Sequence, residues 1–319
     1  MDVVTGAAGF IGSHLTEELL KKGRDVVGID NFSSYYSPEI KRSNVEKIRS
    51  TAENSNGNFE LIEGSILRDE DLEKLPTDPE RVFHEAAIAG VRYSIEHPVK
   101  YTKLNVLGTS KLLDYFEGMK KFVFAGSSSV YGEVPENQLP VKEDRKLNPQ
   151  APYPLSKKQA EDLIELFSDL YGIDYVTTRF FTVYGPRQRP DEAFTKFIKM
   201  ILNGEPVTIY GDGEQSRDFT YVKDIVKGTI LAAEKGDGNY NIGSGRRITV
   251  NDMVDTLDEV MEKEVERKCV EQPEGDVSHT HADISKARKE LNYEPKVSFK
   301  EGTKNCVEWC REMRKRSLL

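Results

Sequence analysis

The stretch Thr5-Gly6-Ala7-Ala8-Gly9-Phe10-Ile11-Gly12 decides how this chain folds. A short apolar run, Val3-Val4, stands before it, and an amphipathic segment, 11–22, closed by Gly23, follows. The order strand, glycine-rich turn, helix sets three glycines at G-x-x-G-x-x-G spacing, where a backbone can come close to a ligand. The helix N-terminus at that turn offers unpaired amides and the positive end of a dipole, which suits a pyrophosphate. Glycines also make ordinary strand-to-helix turns, so the next strand carries the decision. It ends at Asp30, 18 residues after Gly12, where a carboxylate accepts both hydroxyls of an adenosine ribose and repels a 2′-phosphate. Loop and aspartate together predict NAD rather than NADP.

Outward from this unit the same alternation continues. Strand-like runs at 3–5, 25–29, 59–63, 81–84, 121–125 and 174–179 are separated by helical patterns. These cover 11–22, a segment opened by Ser37-Pro38-Glu39, one from His97-Pro98 to about residue 117, and 153–171 closed by Gly172. Alternating strands and helices predict an α/β fold, a Rossmann-type doubly wound parallel sheet with helices on both faces. Beyond Gly185-Pro186 the elements become shorter and mixed, with helices near 194–202 and 249–263. We therefore expect an NAD-binding domain over 1–180. A smaller mixed α/β substrate-binding domain should follow over 181–319, some of its segments packing back on the first.

Composition narrows the function. The 319 residues carry 45 Lys plus Arg against 54 Asp plus Glu, a net charge of −9, so no global field draws nucleic acid or anionic lipid. No apolar run reaches the ~18 residues that span a bilayer. Val3 and Val4 already read as strand, which leaves no room for a signal peptide and predicts a cytoplasmic protein. Three cysteines, Cys269, Cys306 and Cys310, are too few for a disulfide framework or a four-ligand zinc site, and His279 and His281 read as loop histidines, so no metal is expected.

Tyr153 and Lys157 stand four residues apart on a predicted helix, hence on one face. Ser127-Ser128-Ser129 follows the fifth strand, at the carboxyl edge where doubly wound sheets bind ligands. A tyrosine titrates near pH 10, and lowering it by ~3 units needs ~4 kcal/mol of preference for the phenolate. One cation at ~4 Å in an effective dielectric of ~20 supplies about that. Lys157 and the nicotinamide charge are the expected suppliers. Tyr153 then serves as general base, and Ser127 hydrogen-bonds the same substrate hydroxyl.

With these residues in place the sequence resembles the extended short-chain dehydrogenase/reductase family, and within it the nucleotide-sugar 4-epimerases. The resemblance is carried, in order, by the Thr5 to Gly12 loop, Asp30-Asn31-Phe32-Ser33, His84-Glu85-Ala86-Ala87 and Asn105-Val106-Leu107-Gly108-Thr109. It continues through Ser127 to Gly132, Tyr153 to Lys157, Arg179 to Pro186 and Arg217 to Asp224. It implies an NAD site lined by Gly6, Gly9, Phe10, Ile11, Gly12, Asp30, Asn31, Ser33, Ala86, Ala87 and Asn105, with Tyr153 and Lys157 reaching it from the catalytic side. Ser65 and Ile66 stand where the family usually has an adenine-contacting aspartate. For a UDP-sugar it implies Tyr210 near the uracil, Arg217 at the diphosphate and Asp276 at the nucleotide ribose. Glu274 departs from the arginine usual before that aspartate. The helices at 97–117 and 153–171 resemble the family's four-helix interface, which implies a homodimer.

The resemblance also frames the reaction. Family members begin by oxidising the sugar C4 hydroxyl. The 4,6-dehydratases then use an Asp-Glu pair before V-Y-G, and related decarboxylases a glutamate, where this chain has Ser128 and Ser129. Without such an acid the ketone turns over and takes its hydride back, which is epimerisation. The segments 89–94 and 179–186, followed by Arg189-Pro190-Asp191, resemble the UDP-glucuronate branch. Arg92, Ser128, Ser129, Thr182 and Arg189 are the expected sugar contacts, with Arg189 on the C6 carboxylate. The alternatives are a 4-epimerase of UDP-glucose or a UDP-N-acetylhexosamine, then a UDP-glucuronate decarboxylase or a 4-reductase, and last a non-catalytic dinucleotide-binding scaffold.

Overall fold

The computed structural model describes residues 1–271 and 278–319. Seven parallel strands form its main sheet: β1 (Asp2–Thr5), β2 (Val26–Asp30), β3 (Phe59–Glu63), β4 (Arg81–His84), β5 (Lys121–Ser127), β6 (Asp174–Phe180) and β7 (Gly238–Ile242). Their order is β7-β6-β5-β4-β1-β2-β3, so the chain winds outward from β1 in one direction and returns to wind the other way from β4. Every residue of β1, β2 and β4 is buried, which explains why these strands read as continuous runs without alternation. Helices α1 (Phe10–Lys21), α2 (Pro38–Glu53) and α3 (Pro152–Tyr171) cover the faces. Pro152 opens α3, and Gly172, at φ 69°, closes it in the left-handed conformation that side chains disfavour.

Two elements differ from the sequence reading. The helix expected over 97–117 is broken into Pro98–Tyr101, a π-helical stretch Thr102–Leu107 and Gly108–Tyr115, and a further short helix, Val91–Glu96, precedes it. The wide turn surrounds Asn105, whose carbonyl accepts from the Thr109 hydroxyl at 2.6 Å and whose amide side chain reaches the segment after β4. The seventh strand lies in the region read as a separate second domain. After β6, the helix α4 (Val222–Lys235) leads the chain back to the sheet, and β7 pairs with β6 from Gly238↔Val176 to Ile242↔Phe180.

The remaining described residues build the smaller region. Thr182–Tyr184 pairs parallel with Phe219–Tyr221, Val207–Tyr210 parallel with Arg267–Val270, and Ser216–Arg217 antiparallel with Ile248–Thr249. Helices Ala193–Asn203 and Val250–Met261 stand where helices were expected, the second opened by a capping box between Thr249 and Asp252. Among the described residues no helix is long and apolar enough to cross a membrane.

Candidate active site

The site starts at the carboxyl ends of β1, β2 and β4. A Cβ on Gly12 would stand 2.3 Å from the Gly6 carbonyl oxygen, and one on Gly6 would meet the Ala86 backbone at 2.9 Å. Gly6 is held by its amide to Ile29 O at 2.7 Å, and Gly9 by its own to Gly6 O at 2.9 Å. The loop is therefore a cradle of bare backbone, and α1 opens at Gly9 without a side-chain cap. Phe10 and Ile11 are half-buried on the first turn above it. Its free amide end and crowded floor fit a dinucleotide pyrophosphate.

Asp30 is buried at the tip of β2. Its Oδ1 accepts from the Phe32 amide at 2.8 Å and from Lys41 Nζ at 3.0 Å, and its Oδ2 from the Ala8 amide at 3.2 Å. Lys41, on α2, was not singled out in the sequence. Exposed Asn31 and Ser33 build the next turn, Asn31 Oδ1 accepting the Ser33 amide at 3.0 Å. Ser65 caps its own turn and gives its amide to Asp71 Oδ2 at 2.9 Å, with Ile66 buried beside it. The Asp71 carboxyl is held down at about 2, first by the Lys74 hydrogen bond and then by that amide. Ala86 and Ala87 follow β4, the Ala86 amide donating to Thr5 Oγ1 at 3.1 Å. Asn105 braces this wall rather than facing a ligand with a free amide. Its Oδ1 accepts from Ile88 N at 3.0 Å, and its Nδ2 donates to Ile88 O at 3.1 Å and Ser156 Oγ at 3.0 Å.

Ser127, Tyr153 and Lys157 converge where β5 meets α3. Ser127 stands beside the Tyr153 phenol, and its Oγ lies 2.8 Å from Ser129 Oγ. The Tyr153 ring meets Tyr101 edge-on at 5.9 Å. Tyr101 and Tyr35, both missed in the sequence, donate their hydroxyls to the Ala89 carbonyl at 2.9 and 2.8 Å. Burial pushes the Tyr153 phenol above its ordinary value, with the Ser127 hydrogen bond opposing. The expected lowering by Lys157 is thus not present in the protein alone, because Lys157 Nζ is turned to the Ala125 carbonyl at 2.8 Å. Burial pushes that lysine down to about 8.

The residues expected to contact the sugar come from both regions. Ser128 and Ser129 begin a 3-10 turn whose cap is Ser127, and Thr182 is half-buried, its amide held by Asp218 O at 3.0 Å. The Arg92 guanidinium lies over the Tyr210 ring at 5.3 Å, linking the two regions. Arg217 Nη1 donates to Ser216 O at 3.0 Å and Ser278 O at 3.1 Å. Asp276 and Glu274 lie outside the described residues. Arg189, expected at the C6 carboxylate, is engaged within its own loop. Its Nε and Nη2 donate to the Asp191 carboxylate at 3.0 Å each, and Nη2 also reaches Glu192 Oε1 at 2.7 Å. The guanidinium sits over the Tyr35 ring at 5.1 Å. One cation between two carboxylates leaves a net negative cluster, which is a poor receptor for a third carboxylate. Arg189 staples its loop to Tyr35.

The chain matches the family model described as GDP-mannose 4,6 dehydratase over residues 3–306. It is 40% identical over 318 residues to a UDP-glucuronate 4-epimerase of Thermodesulfobacterium geofontis, covering 97% of this chain and 96% of that one. Among solved structures, it resembles the UDP-glucuronic acid 4-epimerase of Bacillus cereus in complex with UDP-glucuronic acid and NAD. The TM-score is 0.90 at 37% identity, covering 98% of this chain and 100% of that one. It also resembles the UDP-glucose 4-epimerase of Thermotoga maritima with UDP-glucose, with TM-score 0.88 at 38% identity over 98% and 100% of the two chains.

Proposed function

The chain belongs to the GDP-mannose 4,6 dehydratase family, and on that premise we propose that it is an NAD-dependent UDP-sugar 4-epimerase acting on UDP-glucuronate. The observation that carries the reading is the convergence of Ser127, Tyr153 and Lys157 where the strand end Lys121–Ser127 meets the helix Pro152–Tyr171, at the same carboxyl edge of the sheet as the glycine cradle. Bound NAD supplies the acceptor and later the donor of the C4 hydride. Gly6, Gly9 and Gly12 would hold its pyrophosphate, and Asp30 its adenosine ribose. Tyr153 Oη takes the C4 hydroxyl proton, while Ser127 orients the same hydroxyl. Burial raises the Tyr153 phenol, and the nicotinamide charge of bound NAD would favour the phenolate. Ser128 and Ser129 bring no carboxyl group to eliminate water, so the 4-keto sugar keeps its substituents, turns over and is reduced on its other face.

Thr182 with Ser128 and Ser129 is the proposed holder of the C6 carboxylate, replacing Arg189 in that role. Tyr210, Arg92, Arg217 and Asp276 would serve the UDP portion. The domain division is proposed at residue 180, with β7 and α4 returning to the first unit. A specific observation favours a second reading, UDP-glucose: the Arg189–Asp191–Glu192 cluster places no unpaired cation near the sugar. Incubation with UDP-glucuronate, UDP-glucose and UDP-N-acetylglucosamine separately, with products identified by proton NMR, decides between them. Conversion of UDP-glucuronate to UDP-galacturonate without carbon dioxide or free NADH is expected. Net NADH release would defeat the epimerase reading.

Two further expectations belong to this reading. The helices Val91–Glu96, Pro98–Tyr101 and α3 leave Ile95, Val99, Leu166 and Leu170 exposed, Val99 at 77% and Leu170 at 63%. That stripe supports a homodimer through these helices, which light scattering would detect. All three cysteines are free, Cys269 on the surface, which suits the reducing cytoplasm.

A further inference from the structure

Arg187 stands in the loop that follows the strand Thr182–Tyr184, and its backbone adopts φ 71°, in the left-handed region that side chains disfavour. Such a conformation persists only where the surroundings impose it. Here the arginine's own contacts hold it. Its Nη1 donates to Ser13 Oγ at 3.1 Å, and its Nη2 lies 2.6 Å from Glu17 Oε1, the Arg187 and Glu17 side chains being only 10% and 13% exposed. Ser13 and Glu17 stand one turn apart on α1, the first directly after Gly12 of the cofactor cradle. From the same helix, His14 Nε2 donates to the Pro186 carbonyl at 3.0 Å. Among the described residues, no other hydrogen bond or ion pair joins α1 to the chain beyond residue 181. Gln188 closes the loop on itself, its amide donating to Gly185 O at 3.2 Å and its Nε2 to Val183 O at 3.0 Å. The strand that carries Thr182 therefore ends in a joint with the cofactor helix.

We propose that Arg187 is a positioning residue: through Ser13 and Glu17 it fixes the strand bearing Thr182 against α1, and so sets where the sugar lies relative to the cofactor. This rests on the sugar contact given to Thr182 in the 4-epimerase reading. Hydride transfer in both directions needs C4 at one distance from the nicotinamide, and an error of about 1 Å caused by a remote change costs on the order of 100-fold in rate. The joint is expensive to build, since it takes two charges out of water and strains a backbone. A loop that only had to turn would be served better by glycine at this position. Arginine suits a joint because its planar fork spans two acceptors at once, which the single point charge of a lysine does not.

The test compares Glu17→Gln, Arg187→Gly and the double variant as NAD-loaded, full-length protein. Glycine accepts the left-handed backbone without strain and removes the side chain, whereas glutamine on α1 removes only a charge. Without sugar, hydrogen exchange read by mass spectrometry should quicken about tenfold or more over residues 183–189 in each variant, with β1 unchanged. With the sugar nucleotide that the wild type turns over, kcat per bound NAD should fall about tenfold or more, and KM should stay within about twofold of wild type. The double variant should be no slower than Arg187→Gly, because both changes cut the same joint. A merely structural role would lower the yield of folded protein and leave kcat per bound NAD at the wild-type value. That result, unchanged exchange over 183–189 in Glu17→Gln, or losses that simply multiply in the double variant would overturn the proposal. Should Arg187→Gly not fold, Glu17→Gln decides alone. Exchange is read without sugar, so its failure is distinct from a failure of the 4-epimerase reading, which would show as no product from any sugar nucleotide.

Discussion

Replacing Asp30 with Asn keeps the side chain's shape and removes its charge, and the structure predicts two separable losses. Lys41 Nζ lies 3.0 Å from Asp30 Oδ1, and the two side chains are only 9% and 3% exposed. Solvent therefore reaches too little of either to screen a stranded charge. Breaking such a pair from one side costs about 3–5 kcal/mol, and the Phe32 and Ala8 amides lose their charged acceptor as well. Asp30→Asn should thus be destabilised by about 3–5 kcal/mol in urea unfolding followed by circular dichroism. Adding Lys41→Met removes the stranded ammonium and should restore most of that stability. Calorimetric NAD titration should show no such recovery, because both variants lack the carboxylate for the ribose. A charged hydrogen bond of about 1.5–3 kcal/mol corresponds to roughly 10- to 100-fold weaker binding. A single variant within about 1 kcal/mol of wild type would refute the buried-pair argument. A double variant that regains NAD affinity would place Asp30 outside the ribose site.

Tyr153→Phe keeps the ring against Tyr101 and removes the proton acceptor, so kcat should fall on the order of 10²- to 10⁴-fold while NAD still co-purifies; near wild-type turnover would name another base. Gly12→Ala drives a Cβ to 2.3 Å from the Gly6 carbonyl, so the purified variant should lack the NAD absorbance of the wild type, and full retention would show that the loop can yield. His14 and His84 are both held at about 3, chiefly by burial. Below the ordinary histidine value of about 6.5 the unfolded chain takes up protons that the folded one refuses, so stability falls as pH drops from there toward 3. Glu85, raised to about 7, and the carboxyls of Glu143, Glu161 and Asp218, raised by burial, work in the opposite sense. On going from pH 7 to pH 5 the urea midpoint of the wild type should therefore drop relative to that of a His14→Gln, His84→Gln variant, and an identical pH dependence in the two would contradict the burial of these histidines.

What was legible in the sequence was what depends on near neighbours. The glycine loop, the aspartate at the next strand end and the Tyr153 to Lys157 spacing each encode their geometry within a few residues, and the structure puts them at one sheet edge. Gly238-Asn239-Tyr240-Asn241-Ile242 carries no such signal, because it becomes a strand only through partners distant in the chain. Asn241 is buried there, its Oδ1 accepting from Tyr131 Oη at 2.7 Å and its Nδ2 donating to Val141 O at 2.9 Å. Lys41 was equally invisible, since an ordinary lysine shows its role only once a strand end is beside it. For Arg189 the signal was present, Asp191 and Glu192 following it directly, but spacing alone does not say which groups an arginine will choose.

The return of β7 to β6 makes the first 180 residues an incomplete object. Cut there, the chain would present β6 as an open edge, a row of unpaired amides and carbonyls from Val176 to Phe180 ready to recruit another strand. The dinucleotide-binding half is therefore not a portable module. On the ribosome, β6 must wait for about sixty further residues before its outer partner emerges, so the region that follows residue 180 also finishes the sheet. Grafting a different sugar-binding region onto this scaffold would succeed only if the graft carried its own replacement for Gly238–Ile242.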